Sequence, residues 1–500
     1  MMAILALTAS AYDFMVDGIA YNYLNGQSGS EVQVTFTNSN NYANNYSGLT
    51  TANIPSSVTY NGKTYSVTSI GDAAFYGCSD LTSVDIPNSV TSIGGYAFYE
   101  CFGLTSVAIS NSVTTIGGSA FCFCSGLTSV DIPNSVTSIG DCAFYGCSGL
   151  TSVTIPNSVT KIGGNAFDNT PWFNKQPNGV VYAGMVAYKY KGTMTLGTSI
   201  IIREGTKGIA GYAFYNCNGL TSVDIPNSVT SIGNLAFKGC SRLKSVTIPD
   251  SVTSLNDRVF SDCYGLTSVT ISNSVIEIGH QAFGNCSGLT SMTIPNSVTS
   301  IGDRAFYGCS GLTSVSIPNS VTSIGGSAFH NCYGLTSVTI GNSVTSIGGS
   351  AFENCSGLTS VDIPNSVTSI GVSAFYNCNR LTEIRSKIVN VGDVSMGTSV
   401  FSNVPKSSCT LKVPIGTATA YRNAYQWKDF SNIKETLFSS GTVGDLNLDN
   451  EVDGEDINIM VNQLLKRTDC LDEDGITDLN GDEKVNGIDL HEMISIVLGQ

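Results

Sequence analysis

Residues 124–146 read CSGLTSVDIPNSVTSIGDCAFYG, and the same phrase begins again at Cys147. The apolar positions are Cys124, Leu127, Val130, Ile132, Val136, Ile139, Ala143 and Phe144. Val130 and Ile132 are β-branched and alternate with polar neighbours, the pattern of a short strand that turns every second side chain inward. Pro133 has no amide proton and fixes its own φ, so it ends the strand and stops the ladder there. Val136 to Ile139 gives a second extended stretch, and a glycine-rich turn brings Phe144 back to the core. A phrase of this length cannot bury enough apolar surface alone. Neighbouring phrases must therefore stack about 4.8 Å apart along a parallel sheet. The chain reads as a β-rich solenoid with little helix.

Cysteines set the ruler. They fall at 78, 101, 124 and 147, then at 217, 240, 263, 286, 309, 332, 355 and 378, each step 23 residues except the 70 from Cys147 to Cys217. An Ala-Phe or Val-Phe pair recurs from Ala74-Phe75 to Ala374-Phe375. The long step is three periods plus one residue, so the insertion at 168–208 replaces coils and keeps the register. Its GVVYAGMVAYKY segment reads as a hairpin laid on the solenoid. Residues 12–48, with a hairpin signalled by Asn61-Gly62, form an N-terminal cap. Residues 393–440, including SSCTLKVPIGTATAYRNAYQWKDF, form a C-terminal cap that covers an otherwise open sheet edge. The solenoid proper spans 49–392.

The consensus C-x-x-L-x-x-V-x-I-P-x-S-V-x-x-I-G-x-x-A-F resembles the bacterial surface-protein class of leucine-rich repeats, the BspA-like family. The insert beginning at Thr170-Pro171-Trp172 and the closing VPIGTATAYRNAYQWKDF also resemble segments of that family. The resemblance implies a secreted or surface-displayed leucine-rich-repeat solenoid of gut or oral anaerobes, linked to adhesion to host matrix or to other cells. It implies no catalytic residue.

Charge divides the chain in two. Of 500 residues 12% are charged, and the net charge is −15. Residues 444–500 hold 15 acidic and 3 basic side chains, net −12, leaving 23 acidic and 20 basic, net −3, in the body. No basic surplus exists to recruit nucleic acid, and no apolar run is long enough to span a membrane. The opening MMAILALTASA ends in the small-residue pattern Ala9-Ser10-Ala11 and reads as a signal-peptide remnant over 1–11, so the expected location is secreted, extracellular or cell-surface.

The acidic tail carries the metal chemistry. Residues 445–456 read DLNLDNEVDGED and 478–489 read DLNGDEKVNGID, two twelve-residue loops offset by 33. Oxygen side chains recur at Asp445, Asn447, Asp449, Asp453 and Asp456, and again at Asp478, Asn480, Asp482, Asn486 and Asp489. An EF-hand-type loop uses this alternation to wrap a hard Ca²⁺ ion in oxygens. Glu451 and Lys484, at the seventh loop position, would each lend a backbone carbonyl. Apolar stripes follow each loop at helical spacing: Ile457, Met460, Val461, Leu464, Leu465, then Leu490, Met493, Ile494, Val497, Leu498. Paired loop–helix halves with Asp at position twelve resemble a type I dockerin across about 443–499, a small all-α EF-hand-like domain placed at 441–500. That resemblance implies two bound Ca²⁺ ions and a cohesin module on a scaffold protein as partner. Asn450 and Glu483 replace the usual glycine at position six, which turns with a positive φ. Glu483 tolerates that poorly, making the second site the weaker.

Other residues read as structural. The cysteine ladder is expected to be a free, buried core, although stacked coils bring cysteines within disulfide range; Cys122, Cys142, Cys409 and Cys470 lie off the ruler. His280 and His330 read as exposed turn positions, and His491 lies in the tail. Asp85, Asp131, Asp224 and Asp362 occur once per coil, which leaves no glycosidase-type carboxylate pair; Asp168 and Glu204 in the insert have no second acid beside them. Tyr76, Tyr99, Tyr145, Tyr215, Tyr307 and Tyr376 form a stripe read as edge packing, with sugar stacking or protein anchoring as the functional alternative. Thr128, Ser129 and their equivalents lay a hydroxyl carpet on the sheet face, and Ser135 is expected to satisfy backbone groups in its turn. The chain is therefore expected to be a non-catalytic binding protein, held to a scaffold by its tail and recognising a host matrix protein or glycan. The alternative is a substrate-targeting component of a polysaccharide-degrading assembly.

Overall fold

A computed structural model describes residues 12–37 and 46–436, with Phe438, Asp456 and Ile457. The described residues fall into two compact units divided between Lys238 and Gly239. Each unit is a run of β-solenoid coils with repeats of about 23 residues, parallel pairing and few helices.

In a typical coil of the first unit the strand Ser129–Asp131 pairs in parallel with Ser152–Thr154, residue for residue at the repeat spacing. Val130 points in while Ser129 and Asp131 face solvent. The second stretch contracts to Ser138–Ile139, which continues a parallel ladder from Thr115–Ile116 to Lys161–Ile162. Val136, before that strand, is fully buried and still serves the core.

Turn geometry departs from the glycine-rich expectation. Each turn uses two left-handed residues, one before the Ala-Phe pair and one before the ladder cysteine, and the first is usually not glycine: Ser119 has φ 55°, Leu235 56° and Arg258 54°. The second is Phe123 at 61° or Asn331 at 62° as readily as Gly146 at 69°. These angles let amides alternate in direction. Cys122 N–H bonds back to Ser119 within its own turn, whereas Ser119, Phe121 and Phe123 donate to Asp141, Ala143 and Tyr145 of the next coil at 2.7, 2.7 and 2.8 Å. Inter-coil bonding thereby continues through the turn, which offsets the cost of left-handed backbone at side-chain-bearing residues. The repeat's glycines answer a different need. A Cβ on Gly140 would lie 2.4 Å from the backbone nitrogen of Gly118, so the close approach of coils requires glycine there.

Phenylalanine rings line the core as a stack. Phe75, Phe98, Phe121, Phe144 and Phe167 follow one another at 5.2, 5.1, 5.2 and 5.4 Å between centroids. In the second unit the stack runs from Phe260 to Phe401. Beside it runs the cysteine ladder. Every described cysteine is free. The Cys124 thiol donates to the Phe98 carbonyl at 3.1 Å and that of Cys147 to Phe121 at 3.0 Å; Cys309, Cys332 and Cys355 repeat the contact in the second unit. The thiol hydrogens thus satisfy carbonyls of the neighbouring coil.

At the front, Phe14–Val16, Ile19–Tyr23 and Glu31–Thr35 pair antiparallel, and Glu31–Thr35 then pairs in parallel with Lys63–Ile70. The hairpin into Lys63–Ile70 turns at Asn61 and Gly62, with φ 50° and 78°, the two positive angles that a type I′ turn needs. The insertion hairpin, Gly179–Ala183 with Val186–Lys191, is built into the ladder rather than laid on it. Val186 and Ala187 pair in parallel with Gly208 and Ile209. At the rear, Trp427 is buried against Phe401 and Tyr421, at 4.8 and 5.4 Å, and Thr410–Pro414 and Asn432–Thr436 close the sheet in parallel.

Candidate functional site

The sheet with the longer strands presents one outward residue after each inward apolar one. In the second unit this row runs Thr293, Ser316, Thr339, Asp362, Arg385, Lys412, Lys434, in register throughout. It is uncharged at first and becomes ionic toward the end. Asp362 pairs with Arg385 at 3.7 Å and Glu383 with Lys412 at 3.2 Å. Successive coils thereby neutralise each other's charges.

The hydroxyl carpet is largely engaged within the protein. Thr336 Oγ1 donates to the Thr313 carbonyl at 2.9 Å, and Thr359 and Thr382 continue the chain at 3.1 Å each. A second chain runs through Thr322, Thr345 and Thr368 on the short stretch. Their protons are committed to the preceding coil, so the threonines offer an incoming ligand only acceptor lone pairs. The turn serines differ in their partners. Ser297, Ser320 and Ser366 donate to valine carbonyls of the preceding coil at 2.6 to 2.7 Å, whereas the buried Ser135 hydroxyl has no partner. The expectation for Ser135 itself therefore fails.

Aromatic residues at the turn edge pack on each other. Tyr76 stacks on Tyr99 at 4.8 Å, and Phe123 meets Tyr99 and Tyr145 edge-on. Burial is the main reason the Tyr99 phenol is pushed up to about 12. Tyr96 and Phe102 beside them stay about half exposed. The histidines are less open than expected. His280 is half-buried. His330 stands edge-on to Tyr307 with Asn354 at 3.2 Å, and desolvation lowers its pKa.

Groups that might have signalled catalysis are engaged structurally. Asp168 pairs with Lys189 and accepts from Tyr188 OH at 2.7 Å, pinning the insertion hairpin. Off the ruler, Cys122 is buried and Cys142 half-buried, both free. Burial, then the neighbouring Cys142, pushes the Cys122 thiol up to about 12. Such thiols stay protonated and are poor nucleophiles.

Of the positions expected to ligate metal in the tail only Asp456 lies among the described residues, where it is buried. Asp445, Asn447, Asp449, Glu451, Asp453, Asp478, Asn480, Asp482, Lys484, Asn486 and Asp489 lie outside them, as do the tail's all-α fold and Cys470. The donor set is entirely oxygen, which suits a hard cation and not zinc.

The description of the BspA type leucine rich repeat region, in six copies, matches residues 62–173, 187–313 and 299–429. The chain belongs to the BspA-type leucine-rich repeat family. Its C-terminal residues 443–498 match the dockerin type I domain, a calcium-binding module. This BspA-type chain is 29% identical to a leucine-rich repeat protein of solved structure from Bacteroides ovatus, over 85% of this chain and 100% of the other, with a TM-score of 0.40. It is 26% identical to a leucine rich cell surface protein from Faecalibacterium prausnitzii, over 88% and 98%, with a TM-score of 0.32. No curated protein matches. Among the described residues of the BspA-type chain no helix is long and apolar enough to cross a membrane.

Proposed function

We propose that the protein is a non-catalytic extracellular binding protein in which the solenoid recognises a macromolecule and residues 441–500 attach it to a cohesin-bearing scaffold. The observation that carries this reading is the joining, in one chain, of a repeat region to a dockerin type I match over 443–498. Dockerin domains bind cohesin modules, and proteins of both families are typically extracellular or at the cell surface. The solenoid offers long outward rows and few unpaired charges, which suits adhesion to a host matrix protein or a glycan.

Two Ca²⁺ ions would be held in the tail, one by Asp445, Asn447, Asp449, Asp453 and Asp456 with the Glu451 carbonyl. Asp478, Asn480, Asp482, Asn486 and Asp489 with the Lys484 carbonyl would hold the other. Two ions would take the tail's −12 to −8, relieving the repulsion that resists its folding. The test is a pull-down from the secreted and surface proteome with and without calcium. Retention of a scaffold protein only in calcium supports the reading, and no retention in calcium contradicts the docking role.

A further inference from the structure

A recess opens in the second unit in the corner between the outward sheet row and the turn that follows each strand. Most coils place Pro-Asn in that turn, as at Pro295-Asn296, Pro318-Asn319 and Pro364-Asn365, but one coil reads Gly341-Asn342. With no ring or side chain, Gly341 lies so close to the coil before it that a Cβ would stand 2.5 Å from the Pro318 carbonyl. The recess there measures about 380 Å³, within the range of about 300–1,000 Å³ typical of small-ligand sites.

The lining of this recess is polar and nearly neutral. Asn296, Asn319 and Asn342 stand exposed one coil apart. Asn319 is fixed by accepting the Asn342 backbone N–H at 2.7 Å through Oδ1, which leaves its amide NH₂ to point a donor pair at a ligand. Ser316 and Thr339 supply hydroxyl oxygens along the opposite wall. One end is closed by charge: Asp362 is held by Arg385, and the Lys387 ammonium lies 5.9 Å over the Phe438 ring.

Amides and hydroxyls that both donate and accept, with flanking proline rings for C–H surface, match the chemistry of a pyranose chain. We propose that this recess binds a neutral oligosaccharide laid across the coils from Asn296 to Lys387. The inference rests on the reading of the solenoid as the recognition module, and it names the ligand class and the site. The opposed charges of Asp362 and Lys387 favour a neutral sugar over a uronic-acid polymer.

The test titrates the full chain, in calcium, with neutral hexasaccharides of glucose, xylose and mannose and with a galacturonate hexasaccharide, by calorimetry. At least one neutral sugar should bind more tightly than the galacturonate. The double variant Asn319→Ala, Asn342→Ala removes two exposed amides, with the one hydrogen bond from the Asn342 backbone N–H to Asn319, and should weaken it at least tenfold while a thermal melt shows the coils still folded. Asn134→Ala with Asn157→Ala, at the same repeat position in the first unit, should leave it unchanged. No binding of any neutral sugar, preference for the galacturonate, or wild-type affinity in the Asn319/Asn342 variant would overturn the proposal. Calcium-dependent capture by a scaffold, measured on the same preparations, would leave the docking reading standing in each of those cases.

Discussion

The Cys309 thiol donates to the Phe283 carbonyl of the preceding coil at 3.1 Å. It thereby links the cysteine ladder to the phenylalanine stack beside it. The contact recurs at the repeat spacing, so it is a property of the fold rather than of one coil. It also explains why cysteine suits this position: a small apolar atom with a weak donor fills the space and satisfies a buried oxygen at once.

Cys309→Ala should cost about 1–2 kcal/mol, from lost volume and the loss of a second donor to a carbonyl that the Cys286 N–H still serves. Cys309→Ser, which keeps a donor, should cost less at the carbonyl and more in desolvation. Urea denaturation of the full chain reads both. Equal stability of wild type and Cys309→Ala would show the contact to be idle.

Alkaline pH should destabilise the solenoid. Burial raises the Cys147, Cys309 and Cys378 thiols from 9.0 to about 12. A folded pKa above the unfolded one means the native state holds its protons longer, so stability is full below pH 9 and falls as pH rises toward 12. Denaturation midpoints across that window should decline in the native protein and somewhat less in a variant with these three cysteines replaced by alanine, since other buried thiols such as Cys124 and Cys332 are raised in the same way. The same thiols should resist iodoacetamide until urea unfolds the coils.

Gly140→Ala should destabilise by about 1–3 kcal/mol, because its Cβ would meet backbone and not a movable side chain. Gly62→Ala has open space around it and should cost about 1 kcal/mol, through its positive φ alone. Thermal melts of the two variants give the order, and a reversed order would refute the close-approach argument.

Trp427→Ala should cost about 3–5 kcal/mol, since the ring is buried among Phe401, Tyr421 and Phe430. Its loss would loosen the strand Asn432–Thr436 that closes the sheet, and open sheet edges pair with other chains. Light scattering should therefore rise along with the fall in melting temperature.

The period, the alternation at Val130 and Ile132 and the proline stops were legible because each follows from a local rule. Two left-handed residues per turn were not legible at Ser119 or Leu235, where residue type gives no sign of positive φ and inter-coil bonding alone enforces it. The spent threonine hydroxyls escaped for a similar reason. A Thr128-type residue looks free in sequence, and only stacking brings the preceding carbonyl within reach. The insertion hairpin was recognised as two strands, but its place in the ladder depends on Val186 meeting Gly208, a pairing no local pattern records. The recess at Gly341 was equally hidden, since proline is also replaced at Ser110 and Ser272 and only the stacking of neighbouring coils tells the positions apart.

Glu483 stands at the sixth position of the tail's second loop, where the proposed EF-hand-type site would call for glycine. Glu483→Gly should tighten the weaker calcium site severalfold, while Asp445→Ala should remove one of two ions, both read by calorimetry. Two equally tight sites in the native protein would contradict the assignment of Glu483 as a handicap.

The central claim is calcium-dependent attachment, and the most direct measurement is binding of the full chain to purified type I cohesin modules in calcium and in chelator. Complex formation in calcium, loss in chelator and loss in an Asp445→Ala, Asp478→Ala double variant are predicted. Binding that survives both chelator and the double variant, or no binding to any cohesin in calcium, would contradict it.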